Sequence, residues 1–304
     1  MEDLPLNNFT IKSSIHDYNV KFINNSYKEI NNLVNDGDVI IIDKSIYKLY
    51  PKLLSRINDK IKIIKLEANE DQKSYEGLIS LFDELINIGF RKNHRLIAIG
   101  GGIIQDITAF TASVMYRGVD WCFFPTTLLA QGDSCIGSKT SINFKKFKNQ
   151  IGGFYPPKNV FIDIDFLKSL SSNDLQSGIG EMCHYFIVAG EEEFNNYKKN
   201  YNLLSENKNI LSKMIFESLM IKKSYIEIDE FDRKERRIFN YGHSFGHAIE
   251  SLTNYKIPHG IAVSFGMDIA NYVSVKKKIL DEKIRIEIRE FLQEIWDGYD
   301  ISNI

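Results

Sequence analysis

Cysteine and proline are scarce in this 304-residue chain, with three and six residues respectively. The cysteines, Cys122, Cys135 and Cys183, are too few and of the wrong parity for a disulfide framework, and they fit a reducing compartment. Long apolar runs are missing. The longest, such as Leu96–Ile99, are strand-sized, far short of the roughly 20 residues a membrane span needs. The opening residues MEDLPLNNFT lack the basic-then-apolar layout of a secretory signal, so a cytoplasmic protein is expected. An excess of one charge is also missing. The formal net charge of −2 gives no general attraction for nucleic acid or an anionic membrane, although a local cationic pocket stays compatible with it.

What is present is strand–helix alternation. VIIID (Val39–Asp43) reads as a buried strand ending in an acid, and IKIIKL (Ile61–Leu66) as a second strand. Residues 74–89 space apolar side chains as a helix does and stop at Gly89. RLIAIGGG (Arg95–Gly102) is a strand running into a glycine turn, followed by a helix over 103–115. Strands at 121–125 and 160–166 complete a pattern that predicts a parallel sheet with helices on both faces. Beyond about Leu170, proline and β-rich runs nearly vanish. Successive helices are expected at 174–190, 208–228, 234–253, 258–278 and 281–296. The predicted fold class is therefore an α/β domain with a Rossmann-like parallel sheet over 1–170 followed by an all-α domain over 171–304.

The turn at Gly100, Gly101 and Gly102 suits a phosphate. Glycine lets backbone approach the ligand, and the free N–H groups of a helix start attract an anion. It is not GxGxxG, and a plain structural turn fits it equally. Asp43 could accept ribose hydroxyls or cap a helix. The segment 125–157 is dense in small and polar residues and carries Lys139, Lys145, Lys146 and Lys148. It reads as a phosphate pocket or as a long loop with solvated lysines.

Only six histidines occur, and four of them, His184, His243, His247 and His259, fall in the helical half. His243 and His247 share a helix face at i,i+4, as Glu181 and His184 do at i,i+3. Imidazole with carboxylate suits a divalent ion such as zinc, three protein ligands leaving one position open. GHSFGH lacks the glutamate of HExxH, which argues against a zinc protease.

Six blocks in order resemble the 3-dehydroquinate synthase family of sugar phosphate cyclases: GGGIIQDITAF, PTTLLAQGDS, SKTSINFKKFKNQIGGFYPP, SGIGEMCHY, NYGHSFGHAIE and HGIAVSFGM. The resemblance covers about residues 40–270. It implies one divalent metal, zinc or cobalt, on Glu181, His243 and His259, with His247 in the substrate pocket. It implies NAD along Asp43, Glu70, Lys73, Gly101, Gly102, Asp106, Thr126 and Thr127, with Asp133, Lys139 and Lys148 at the nicotinamide end. Substrate phosphate and hydroxyls would meet Lys139, Lys148, Asn149, Asn240, His247 and, from a neighbouring subunit of a homodimer, Arg117. Lys222 and Arg236 would hold a substrate carboxylate. The implied activity is conversion of a sugar phosphate to a carbocycle with loss of phosphate. The candidate substrate is 3-deoxy-D-arabino-heptulosonate 7-phosphate, with the 2-epi-5-epi-valiolone and 2-deoxy-scyllo-inosose synthases as alternative cyclases.

Three departures stand out. The family carries a lysine where this chain has His184, usually a glycine where it has Lys234, and a further helical segment with a phosphate-binding lysine beyond the position of Ile304. They leave open another cyclase substrate, altered phosphate binding, or an inactive remnant. Retention of the metal and NAD positions disfavours the remnant. Two other readings share the architecture: a metal-dependent polyol or glycerol dehydrogenase, against which Lys139, Lys148 and Asn149 speak, and a non-catalytic binding protein.

Overall fold

The computed structural model describes residues 8–145 and 147–302, and the chain divides between Ser169 and Leu170 into two compact units. The sheet unit runs β1 (Phe9–Ile11), β2 (Tyr18–Phe22), α1 (Ser26–Leu33), β3 (Val39–Asp43), α2 (Lys44–Leu49), β4 (Lys62–Leu66), α3 (Tyr75–Asn87), β5 (Leu96–Gly100), α4 (Gly102–Val114), β6 (Trp121–Pro125), β7 (Lys139–Phe144), β8 (Phe147–Phe154) and β9 (Asn159–Ile162). Seven strands form one sheet in the order β1-β2-β9-β6-β5-β3-β4. All its pairings are parallel except β1 with β2. Strands covered on both faces read as continuous apolar runs, and Val39–Ile42 and Leu96–Ile99 are buried throughout. Ile40, Ile42, Ile97, Ile99, Phe124 and Phe161 meet in one core.

The order sets where a ligand can sit. From β3 the chain steps to β4 on one side and then returns to β5 on the other. Such a reversal opens a crevice beyond the carboxyl ends of the two strands. Ile42 pairs with Ile99, so Asp43 and Gly100 leave the sheet side by side.

The helical unit contains α5 (Ser172–Ala189), α6 (Glu191–Asn200), α7 (Lys208–Ile226), α8 (His243–Leu252), α9 (His259–Lys276) and α10 (Glu282–Ile295). The expected fold class is the architecture found. Among the described residues no helix is long and apolar enough to cross a membrane.

Four local expectations need correction. The single helix over 234–253 is two pieces, a 3-10 helix at Glu235–Asn240 and then α8. Between them Gly242 has φ +78°, a left-handed value that ends one helix and starts the next. The strand expected over 160–166 ends at Ile162 and gives way to a 3-10 turn, because Asp163 turns its carboxylate back onto the backbone N–H of Asp165. The long loop of 125–157 is a wide helical turn (Ala130–Ser134) and the hairpin β7–β8. Helix α6 was not expected, because EEEFNNYKKN is mostly polar and buries only Phe194 and Tyr197.

Candidate functional site

In the helical unit, three helices converge through small residues. A Cβ on Gly260 of α9 would stand 1.8 Å from the Ser177 carbonyl of α5, so only glycine permits that approach. Gly242 is equally constrained: its φ is +78°, and a Cβ there would lie 2.8 Å from the Val263 carbonyl of α9. This close packing brings Glu181 of α5, His243 and His247 of α8, and His259 at the start of α9 into one cluster.

One nitrogen from each of His243, His247 and His259 lies within 4.8 Å of the others. Glu181 faces two of them. Its Oε1 is 3.5 Å from His243 Nε2 and its Oε2 is 3.4 Å from His259 Nε2. It is 2 % exposed, and Oε2 has no hydrogen-bond partner. A buried carboxylate oxygen without a donor is costly, and a cation would satisfy it.

The outer nitrogens separate the three imidazoles. His243 Nδ1–H donates to the Tyr241 carbonyl at 3.2 Å, and His259 Nδ1–H donates to Glu250 Oε2 at 2.9 Å. Both rings thereby turn Nε2 toward Glu181. This is how metal-binding histidines are held, with the far nitrogen engaged by a carbonyl or carboxylate. His247 is the most exposed of the three and packs its ring on His259. Glu181 and the three imidazoles thus offer a donor set that fits a divalent ion.

The electrostatics agree. Burial pushes the Glu181 carboxyl up, but the charges of His243 and His259 outweigh it and hold it well below the usual carboxylate range. Burial pushes His259 down, but Glu181 and Glu250 raise it to about 10. His243 is raised by Glu181 against its burial. Burial, His259 and His243 together lower His247 and keep it neutral. The two carboxylates therefore favour protonated imidazoles at a place where a bound cation could take over the balancing charge.

Nearby, His184 is fully buried, with Nδ1 3.9 Å from Glu181 Oε1. Its ring meets Tyr185, Phe239 and His243 edge-on. Lys222 is 6 % exposed, with its ammonium 5.9 Å above the Tyr185 ring. Arg236 is buried, donating to the Glu230 carbonyl at 2.5 Å. Its backbone N–H and those of Arg233 and Lys234 all donate to the Asp229 carboxylate, which fixes the turn of the DEFDRKERR run. Lys234 has φ −140°, outside the left-handed region that would demand the family's usual glycine. Asn240, last residue of the 3-10 helix, is exposed.

In the sheet unit, β5 ends at Gly100 and α4 begins at Gly102, with Gly101 at the cap position and no side chain capping it. No capping side chain therefore takes up the first-turn N–H groups. A Cβ on Gly102 would meet nothing nearer than Ser134 Oγ at 3.8 Å, so this backbone is open to close approach. Thr126 N–H donates to the Gly100 carbonyl, and a Cβ on Gly101 would lie 2.9 Å from Thr127. Asp43 caps α2 through Ser45 N–H at 2.7 Å. Asp133 lies half-buried in the wide turn, which Gln105 ties to α4 through Ser134.

Glu70, Lys73, Asp106, Lys148 and Asn149 come together. Lys73, 7 % exposed, reaches Asn149 Oδ1 at 3.0 Å, Asp106 Oδ2 at 3.3 Å and Glu70 at 3.8 Å. Lys148 pairs with Glu70 at 2.7 Å. Asn143, which sequence reasoning missed, donates to Glu70 at 2.7 Å and accepts from Asn149 N–H. Burial raises Asp106 to about 6 against the pull of Lys73. Lys139, first residue of β7, is exposed. Arg117 stands on a turn where it and Tyr116 both have positive φ, and it lines a cavity of about 470 Å³ with Lys92, His94, Asp120, Tyr155 and Lys158.

Residues 63–177 match the family model for the 3-dehydroquinate synthase N-terminal region, and residues 178–301 that for its C-terminal region. A 3-dehydroquinate synthase of Dictyoglomus thermophilum is 40% identical over 266 residues, spanning 87% of this chain and 74% of that protein. The chain belongs to the 3-dehydroquinate synthase family. Membership makes it an enzyme of the phosphate-eliminating cyclase class. Two solved cyclases share the fold. A 2-deoxy-scyllo-inosose synthase complexed with carbaglucose-6-phosphate, NAD+ and Co2+ superposes with TM-score 0.82 at 23% identity, covering 97% of this chain and 83% of that one. The 2-epi-5-epi-valiolone synthase of Streptomyces hygroscopicus, with NAD+ and Zn2+ bound, gives TM-score 0.82 at 24% identity over 91% and 80% of the two chains.

Against that family frame, the residue that sequence reasoning overlooked in the helical unit is Glu250. It lies three residues after His247 and seven after His243, on the same face of α8, so helical spacing alone would have flagged it.

Proposed function

We propose that this chain is an NAD- and divalent-metal-dependent sugar phosphate cyclase that acts on a seven-carbon sugar acid phosphate, 3-deoxy-D-arabino-heptulosonate 7-phosphate being the candidate, in a reducing, cytoplasmic setting. The observation that carries this is the orphaned Glu181 Oε2, faced by two imidazoles whose far nitrogens are already engaged. When bound, NAD supplies a hydride acceptor that is regenerated within the cycle, and the metal supplies a Lewis acid for substrate oxygens.

Glu181, His243 and His259 hold the metal, zinc or cobalt. His247, kept neutral, accepts or returns a proton at the substrate through an imidazole nitrogen. The buried cations Lys222 and Arg236 hold the substrate carboxylate, and their packing fixes them before substrate arrives. Asn240 and His184 complete the surroundings of the reacting ring. Gly101 and Gly102 receive the nucleotide phosphates, and Asp43, Glu70, Lys73, Asp106, Thr126 and Thr127 its sugar. Asp133, Lys139 and Lys148 serve the nicotinamide end. Lys139, Lys148 and Asn149 stabilise the departing phosphate. Arg117 serves a neighbouring copy, which makes a homodimer the working unit.

His184 supports a second reading, a related cyclase with another sugar phosphate, because it replaces the long cation that an acid substrate would meet. The test is to incubate metal-loaded protein and NAD with a panel of sugar phosphates, following inorganic phosphate and carbocycle. Release from the seven-carbon acid supports the first reading, release only from a neutral sugar phosphate the second, and release from none overturns both.

A further inference from the structure

We infer that Glu250 is a positioning residue for the metal centre, setting both the orientation and the donor strength of His259. The inference rests on the metal reading above and concerns a residue outside the proposed ligand set.

His259 is the first residue of α9 and follows Pro258, so no preceding helical turn holds its ring. What holds it is Glu250, whose Oε2 accepts the Nδ1–H at 2.9 Å. The acceptor is pre-set. Glu250 is 9 % exposed, on the same face of α8 as His243 and His247, and α8 packs directly on α9. With Nδ1 committed as a donor, the neutral ring has its lone pair on Nε2, 3.4 Å from Glu181 Oε2.

His243 offers the comparison. Its Nδ1–H goes to a neutral carbonyl, that of Tyr241, at the longer distance of 3.2 Å. A carboxylate draws the Nδ1 proton more strongly than a carbonyl does and leaves the ring a stronger donor. The two histidines are therefore unequal, and His259 is the stronger donor because of Glu250. Charge balance points the same way. Glu181 and Glu250 together offset a divalent cation, whereas Glu181 alone would leave a net charge in a poorly solvated site.

The test measures metal affinity by competition with a calibrated chelator, using Co2+ as the probe, for the full chain and for Glu250→Gln and Glu250→Ala. Glu250→Ala removes both charge and acceptor and is expected to weaken Co2+ binding about 10- to 100-fold. Glu250→Gln keeps an acceptor without the charge and is expected to fall between. The visible spectrum of the Co2+ form should shift in both, because the ligand field of His259 changes; a residue that merely packed would leave it alone. Should Glu250→Ala fail to fold, Glu250→Gln carries the comparison. Co2+ affinity within twofold of the parent and an unshifted spectrum in a folded variant overturn the inference. Absence of Co2+ binding by the parent chain instead overturns the metal reading on which it rests.

Discussion

The Cα of Gly260 in α9 lies so close to the Ser177 carbonyl in α5 that an added Cβ would stand 1.8 Å from that oxygen. Ser177 also accepts the Gly260 N–H on its own Oγ at 3.0 Å. This contact brings Glu181 and His259 together, since each lies within one turn of it. Gly260→Ala is therefore expected to separate the two helices and to destabilise the fold by about 1–3 kcal/mol or more. It should also weaken metal binding, although it alters no ligand. Chemical denaturation and chelator competition on the same variant check both effects. Unchanged metal affinity would mean that the helix contact does not position the site.

The imidazoles are expected to divide by role. His243→Ala should abolish stoichiometric metal binding, because it removes a nitrogen facing Glu181. His247→Ala should retain the metal and lose turnover. Elemental analysis of the purified variants, paired with rates, decides it. Metal loss in both would put His247 among the ligands.

Asp106 gives a pH dependence with a definite sign. Burial raises its folded pKa from 3.8 to about 6. The folded state thus binds this proton more tightly than the unfolded state does. The contribution to stability is full below about pH 4 and is lost as pH rises through about 6. Asp106→Asn removes that loss, so the variant should gain on the parent between pH 4 and 6 and gain nothing further above. Urea midpoints at pH 4, 5, 6 and 7 measure the difference. A pH-independent difference would contradict the assignment.

Lys73 is expected to act on cofactor affinity. It is nearly buried and touches Glu70, Asp106 and Asn149. Lys73→Met removes the cation that these three share and leaves the partly buried Asp106 and Glu70 without it. NAD affinity, followed by calorimetry, should fall at least tenfold. Metal affinity, set by the helical unit's own ligands, should stay. Loss of both would indicate general unfolding, and loss of neither would separate the cluster from the cofactor.

Much of this arrangement is legible locally. VIIID and RLIAIGGG declare buried parallel strands because both faces are apolar, and the glycine turn follows directly. GHSFGH shows its shared face by spacing alone. Other features depend on distant partners. The break before α8 is a property of Gly242 meeting α9, so an unbroken helical pattern hides it. The hairpin β7–β8 is masked by the polar and glycine-rich KNQIGG stretch, whose strand form depends on pairing with β7. Asp43 fits a ribose partner or a helix cap by sequence, and the cap is observed. Its cofactor role is a proposal that the cap does not exclude, since one carboxylate has two oxygens. Glu250 shares the face of His243 and His247 by spacing, but its pairing with His259 on the next helix is visible only in the fold.

In the proposed function, a metal centre in the helical unit and a nicotinamide cofactor in the sheet unit serve one phosphate-releasing cyclisation. The most direct measurement follows inorganic phosphate and NADH absorbance in one cuvette, with metal-loaded protein, substoichiometric NAD and the seven-carbon sugar acid phosphate. A cyclase that regenerates its NAD should release phosphate in many-fold excess over NAD with no net NADH. NADH accumulating with turnover, or phosphate release that continues after NAD is removed, would contradict that reading.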